Sequence, residues 1–165
     1  KNVPARCPMK LEISWNKPTP LKRETEGWKI YSCNLDRIPV TSVIYIFARY
    51  YNSRYYALYV GQSKNMRSRV KGHFGNLKLM DHLKKAKSGK RVLITGSIST
   101  RGGQNPDKAR NIAERAFIRQ FLAEEGHDLV NHKGTKLQRH EILSIGKVKR
   151  SFIPSSIYLE KKKGE

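Results

Sequence analysis

The chain has 165 residues, of which 34 are Lys or Arg and 13 are Asp or Glu, giving a formal net charge of +21. That length suits one globular domain with arms, able to bury its own core without staples. So large a charge repels itself unless a polyanion shares the surface, which points to nucleic acid, while no segment nears the ~20 apolar residues of a membrane-spanning helix.

Cys7 and Cys33 form no Cys-x-x-Cys pattern. Neither a zinc knuckle nor a disulfide framework is indicated, and ordinary thiols in a reducing, cytoplasmic compartment are expected. The sequence opens on Lys1 rather than a methionine, so a trimmed chain or a piece of a longer one is expected, and a signal peptide is neither claimed nor excluded.

Residues 1–40 are punctuated by Pro4, Pro8, Pro18, Pro20 and Pro39 and carry Trp15 and Trp28. Prolines at that density oppose a long helix, and Leu11 to Trp15 alternates like a short edge strand. This stretch is expected to be an arm packed on the core.

Residues 42–50 and 55–61 are rich in Val, Ile, Phe and Tyr around Tyr51-Asn52-Ser53-Arg54, the pattern of a β-hairpin. Tyr45 and Tyr59 can share a face only if the loop has an odd length or a bulge shifts the register. A three- or five-residue connection centred on Asn52 is the expectation.

Asn65 is a good N-cap for a helix from Met66 to His73. Arg69 and His73 lie one turn apart, and because Met66 and Val70 must point inward, both are held at the rim of the core. A second helix is expected from Leu77 to Lys87, ending at Gly89, followed by a buried strand, Val92 to Thr95. Arg101-Gly102-Gly103 lacks the Lys-Ser/Thr ending of a phosphate-binding loop and reads as a plain turn.

Asn105-Pro106-Asp107 starts a third helix, predicted to run to about Ala123. On a wheel at about 100° per residue, Lys108, Arg115 and Arg119 fall together on the wet side, and Glu114 falls between Ile118 and Phe121. A carboxylate aimed at an apolar surround is costly without a cation, which makes Glu114 the most informative acid of the chain. From Asn131 onward the chain is strongly basic, with Ile142-Leu143, Ile153 and Ile157 to Leu159 expected to pack back on the domain at intervals.

Val43-Ile44-Tyr45, Tyr59-Val60-Gly61, Arg69, His73, Glu114 and Asn131 resemble, in order and type, the motif of the GIY-YIG endonuclease family, over roughly residues 43–131. The run Arg69 to Phe74 is most similar to the restriction and homing branches, where a histidine follows the arginine by one turn. Val43 stands where the family name has its first glycine, and Asn111 competes with Asn131 for the asparagine position. His82 resembles a further histidine of some homing enzymes, with a structural role equally open.

The resemblance implies an α/β (α+β) domain: a mixed sheet of about three strands flanked by helices over residues 41–131, with residues 1–40 as an arm and 132–165 as a basic extension. It implies an endonuclease that hydrolyses phosphodiesters of double-stranded DNA. Between residues 40 and 120 the acids are Asp81, Asp107 and Glu114, too few for a two-metal cluster. One Mg²⁺ or Mn²⁺ is expected, with Glu114 as its protein ligand and water and phosphate oxygens completing the shell.

The resemblance makes Tyr45 the base. A free tyrosine has a pKa of about 10, so a nearby cation or metal-bound hydroxide has to favour the phenolate, and Lys64, Arg67 and Arg69 can supply a positive field. Arg69 would grip the scissile phosphate, Tyr59 and His73 would orient phosphate and water, and Asn131 would fix the geometry of the site. Lys64, Arg67, Lys71, Lys133, Lys136, Arg139, Lys147, Lys149 and Arg150 are the expected DNA contacts. A self-contained restriction-type enzyme, as a homodimer on a symmetric site, is the first expectation. The alternatives are a toxin, homing or repair nuclease domain of a larger chain, or a non-catalytic basic binder.

Overall fold

The computed structural model describes residues 10–41, 43–131, 137–146, 153–154 and 156–162. In chain order the elements are β1 (Glu12–Trp15), β2 (Thr19–Pro20), β3 (Lys22–Arg23), β4 (Tyr31–Ser32), β5 (Val43–Tyr51), β6 (Arg54–Ser63), α1 (Met66–Phe74), α2 (Leu77–Lys85), β7 (Lys90–Ser99), α3 (Pro106–Ala123), β8 (Leu137–Leu143) and β9 (Ser156–Lys162).

The most apolar run of the sequence becomes the central strand. Val43 to Arg49 are buried without interruption in β5, which pairs with β6 on one side and β7 on the other. A strand covered on both faces loses the alternation of a half-exposed one. Val43, Tyr45 and Phe47 face a core built with Leu58 of β6, Met66, Val70 and Phe74 of α1, and Leu79, Met80 and Leu83 of α2. Ile46 and Ala48 face the other way, onto a second core with Val60, Val92, Leu129 and Ile118 of α3. The molecule is α+β, with the sheet held between α1 and α2 on one face and α3 on the other.

Among the described residues the main sheet has five strands, ordered β1-β7-β5-β6 with β2 also on β7, and every pairing is antiparallel. The expectation of about three mixed strands is corrected on both counts. The three long strands are sequential, with β6 and β7 running alike on either side of an opposed β5, and the arm then adds two short strands to the free edge of β7. Leu11 to Trp15 does form an edge strand, as β1. β7 is longer than expected because partners on both sides satisfy its backbone over Lys90–Ser99.

Each of α1, α2 and α3 starts on an asparagine whose side chain accepts a backbone N–H: Asn65 from Ser68, Asn76 from Leu79, and Asn105 from Asp107 and Lys108. Each cap satisfies a donor that the first turn leaves open. α3 has the predicted bounds. α2 ends at Lys85, two residues early, where the Arg91 guanidinium donates to the carbonyls of Leu83, Ala86 and Gly89. A guanidinium is placed well to close a helix end, whose last carbonyls have no intrahelical partner.

The hairpin departs from its predicted connection. Tyr51 pairs with Arg54 across a two-residue turn in which Asn52 (φ 48°) and Ser53 (φ 60°) are both left-handed. Such a turn matches the right-handed twist of the two strands. Continued without interruption, its register would set Tyr45 opposite Val60 and send Tyr59 to the far face. Instead the register slips after Phe47, which pairs with Tyr59 while Ala48 pairs with Ala57. Leu58 is the extra residue, and Leu58 and Tyr59 both pack on the first core. A bulge, rather than an odd loop, puts the two tyrosines on one face.

β8 and β9 form a separate two-stranded hairpin. Of the apolar residues expected to pack back on the domain, Ile142, Leu143 and Ile157 are 52, 66 and 47% exposed, while Ile153 is half-buried. Cys33 is half-buried and its thiol is pushed up to about 11 by burial, which disfavours the thiolate; Cys7 lies outside the described residues. Among the described residues no helix is long and apolar enough to cross a membrane.

Candidate active site

β6 is the edge of the main sheet, and the two helical layers reach past it to enclose a cleft of about 1020 Å³. Tyr59 of β6, Arg69 and His73 of α1, Glu114 of α3, and Asn131 all line it. Five of the six predicted site residues, separated by up to 72 positions in sequence, therefore meet at one surface. The sixth, Tyr45, is 0% exposed and sits behind them.

Tyr45 is held from three sides. Its hydroxyl lies 2.5 Å from His73 Nε2, and Arg69 Nε donates to it at 3.4 Å. Its ring stacks on Tyr59 at 6.0 Å between centroids and meets Phe47 edge-on. Across the strand pair it faces Gly61, where a Cβ would stand 2.4 Å from the Tyr45 hydroxyl. The glycine of Tyr59-Val60-Gly61 is thus required by close approach of the tyrosine that the site is built on.

Burial governs the titration of this inner pair. It pushes the Tyr45 phenol well above its ordinary range, aided by Tyr59 and only partly opposed by the Arg69 hydrogen bond and charge. Burial, and then the positive charge of Arg69, pulls His73 down to about 4. Near neutral pH Tyr45 keeps its proton and His73 is uncharged, and in the tautomer that carries its proton on Nδ1 the 2.5 Å contact is a phenol donating to Nε2.

The outer wall is charged. Glu114 is half-buried, and desolvation raises its carboxyl above the usual range against the lowering pull of Arg69. Arg69 is exposed, and its hydrogen bond to Tyr45 and attraction to that group's charged form hold its guanidinium firmly protonated. Lys64 lies on the cleft and pairs with Asp107 at 3.3 Å.

The start of α3 is tied to the end of β6 by a network that the sequence reading missed. Arg110, 4% exposed, bridges Asp107 and Gln62, and Gln62 donates to Asn111 at 3.1 Å. Asn111 is thereby used on the outside of α3, while Asn131 lines the cleft. The Asn131 amide accepts from Val60 N–H at 3.2 Å and donates to Val60 C=O at 2.6 Å, so it secures β6.

Other expectations are redistributed. Arg67 turns away from the cleft, lines a groove with residues 36–40 of the arm, and donates to Ile38 C=O. Lys71 is exposed but does not line the cleft, whereas Lys78 and Arg115 do. Arg119, expected on the wet side, is half-buried with its Nε out of solvent. His82 bonds the Asp128 carbonyl at 2.6 Å, a structural use that pins α2 to the segment after α3. Arg139 falls on β8, and Lys133, Lys136, Lys147, Lys149 and Arg150 lie outside the described residues.

Among the described residues Glu114 is the one carboxylate lining the cleft, and no group of three or more His, Cys, Asp or Glu stands ready to hold a metal. A single half-buried carboxylate fits an ion that keeps most of its ligands as water and substrate oxygens. No protein-family model, curated protein or solved structure matches the chain.

Proposed function

We propose that the protein is a divalent-metal-dependent endonuclease of the GIY-YIG type that hydrolyses phosphodiesters of double-stranded DNA at specific sites. The observation that carries this reading is the cleft itself. An arginine, a histidine, a tyrosine, an asparagine and a lone carboxylate converge there, with a second tyrosine hydrogen-bonded behind them. The net charge of +21 supplies the attraction for a polyanion.

Glu114 would hold one Mg²⁺ or Mn²⁺, which when bound neutralises phosphate charge and favours ionisation of water. Arg69 would leave the Tyr45 hydroxyl to take the scissile phosphate with its fork of donors, and so uncover Tyr45. Tyr45 cannot act as a free phenolate at neutral pH, because burial holds its proton on. It would serve as a base by relay, taking a proton from the attacking water while its own passes to His73 Nε2, 2.5 Å away, a transfer that burial and the Arg69 charge oppose and that becomes easier as Arg69 leaves for the phosphate. The resulting hydroxide forms the new P–O bond, the bond to the leaving oxygen breaks, and that oxygen takes a proton from solvent. Tyr59 and the histidine then orient water and phosphate. A symmetric target would call for two copies of the chain.

The test is plasmid cleavage with and without Mg²⁺ by the wild type and by Glu114→Ala. Metal-dependent cutting that falls by about 10²–10³ in the variant is expected, the order of loss when a developing-charge stabiliser is removed. Absence of wild-type cutting defeats the proposal in favour of a non-catalytic nucleic-acid-binding protein, and equal cutting by both overturns the Glu114-bound metal on which it rests.

A further inference from the structure

The site depends on the bulge in β6, since only the slip at Leu58 places Tyr59 beside Tyr45. The Asn52-Ser53 turn does not hold that slip in place, because its own register opposes it, and the pairs from Val43–Ser63 to Phe47–Tyr59 fix the slip from one side only. Its outward-facing backbone is instead answered by the segment that follows α3. Asp128 N–H donates to Ala57 C=O at 3.0 Å, Val130 N–H donates to Leu58 C=O at 3.0 Å, and the Asn131 amide takes both groups of Val60. Ala57 N–H in turn donates to His127 Nδ1 at 2.8 Å.

An imidazole nitrogen that accepts from an N–H must carry a lone pair, so the His127 proton sits on Nε2. There Glu124 Oε2 lies 3.0 Å away, and its carboxyl is held below the usual range by Gln120 and by His127 itself. The His127 side chain is only 10% exposed and lies against Phe121 at 4.6 Å between centroids, so it has little freedom to turn. Gly126, at φ 89°, reverses the chain after α3 and brings the ring to the strand, where the Tyr56 ring leaves no room for a Cβ.

We propose that His127, fixed in one tautomer by Glu124, is a positioning residue of the cleft: it clamps the β6 bulge and so keeps Tyr59 on the face of Tyr45. This rests on the nuclease reading above, which gives that juxtaposition its purpose. His127 does not line the cleft and touches no reacting atom.

The experiment compares His127→Phe, which keeps a packed ring but removes the acceptor, with His127→Asn, whose amide oxygen can replace Nδ1. Single-turnover cleavage, DNA affinity at one fixed salt concentration, and hydrogen exchange of the Ala57 amide are read on each. His127→Phe is expected to cut at least about tenfold more slowly with affinity within about threefold, as a misplaced site does when binding contacts survive. Ala57 should exchange at least about tenfold faster, the mark of a local opening. His127→Asn is expected to stay near wild type in all three.

Should His127→Phe fail to fold, Glu124→Ala tests the same clamp from an exposed position, with a smaller slowing of turnover and faster Ala57 exchange expected. Undiminished cutting by His127→Phe, unchanged Ala57 exchange, or an equal fall in His127→Asn overturns the proposal. A wild type that does not cut overturns the nuclease reading instead, and Ala57 exchange then decides the clamp alone.

Discussion

The two walls of the cleft obey opposite physics. On the inner wall Tyr45 and His73 are 0 and 6% exposed, and desolvation drives their proton affinities apart, up for the phenol and down for the imidazole. On the outer wall Glu114, Arg69 and Lys64 remain in reach of water. Charge there sets the field, and Arg69 opposes the effect of burial on Glu114. A buried polar pair works through geometry and a short proton path; an exposed one works through long-range attraction that salt can screen.

The sharpest way to break this contrast is Tyr45→Phe. The substitution keeps the stacked ring but removes the hydroxyl between His73 and Arg69. If the inner wall carries the proton, turnover falls by about 10²–10⁴ while DNA affinity is kept, the range for loss of a general acid–base group. Near-normal single-turnover cleavage would remove Tyr45 from the chemistry and leave His73 as the only titratable group of the inner wall.

Arg69→Ala probes the boundary, since this side chain belongs to the outer wall yet donates to the inner one. A loss of about 10²–10³ in turnover is expected, with affinity at fixed salt changed far less because other cations still hold the backbone. Parallel losses in turnover and affinity would mean that Arg69 is only a docking charge, and the two walls would then act independently.

How far these walls could be read in advance follows the range of the interactions. The three helices were legible because caps, first-turn residues and apolar spacing are local, and Asn65 and Asn105 marked two starts that the structure keeps. The order of site residues was legible as a pattern, and five of them share the cleft. The bulge was not, since Ala57, Leu58 and Tyr59 look like any alternating strand, and the groups that stabilise the slip lie some seventy residues away in His127 to Asn131. The weak signal was parity: an even turn at Asn52-Ser53 cannot place both tyrosines on one face without an extra residue. Arg67 misled for the same reason. Its charge close in sequence to Arg69 suggested a shared positive field, and only the arm, through the Ile38 carbonyl, shows that it turns away.

The finest comparison concerns stability against pH. His73 ionises at about 4 in the folded chain, below the value of about 6.5 expected when unfolded. Between those values the unfolded chain binds more protons than the folded one, so stability rises with pH through this window. The contribution of the neutral buried imidazole is fully present above pH 6.5, is lost as pH falls toward 4, and changes no further below that. Over the part of the window from pH 6.5 to pH 5 the loss is on the order of 1 kcal/mol. His73→Gln keeps a group able to accept from Tyr45 but does not titrate. Urea unfolding of both proteins at several pH values should therefore show a steeper fall for wild type, by that amount, than for the variant. Parallel curves would mean that His73 is not desolvated in the folded chain, and the inner wall would then lose the property that separates it from the outer one.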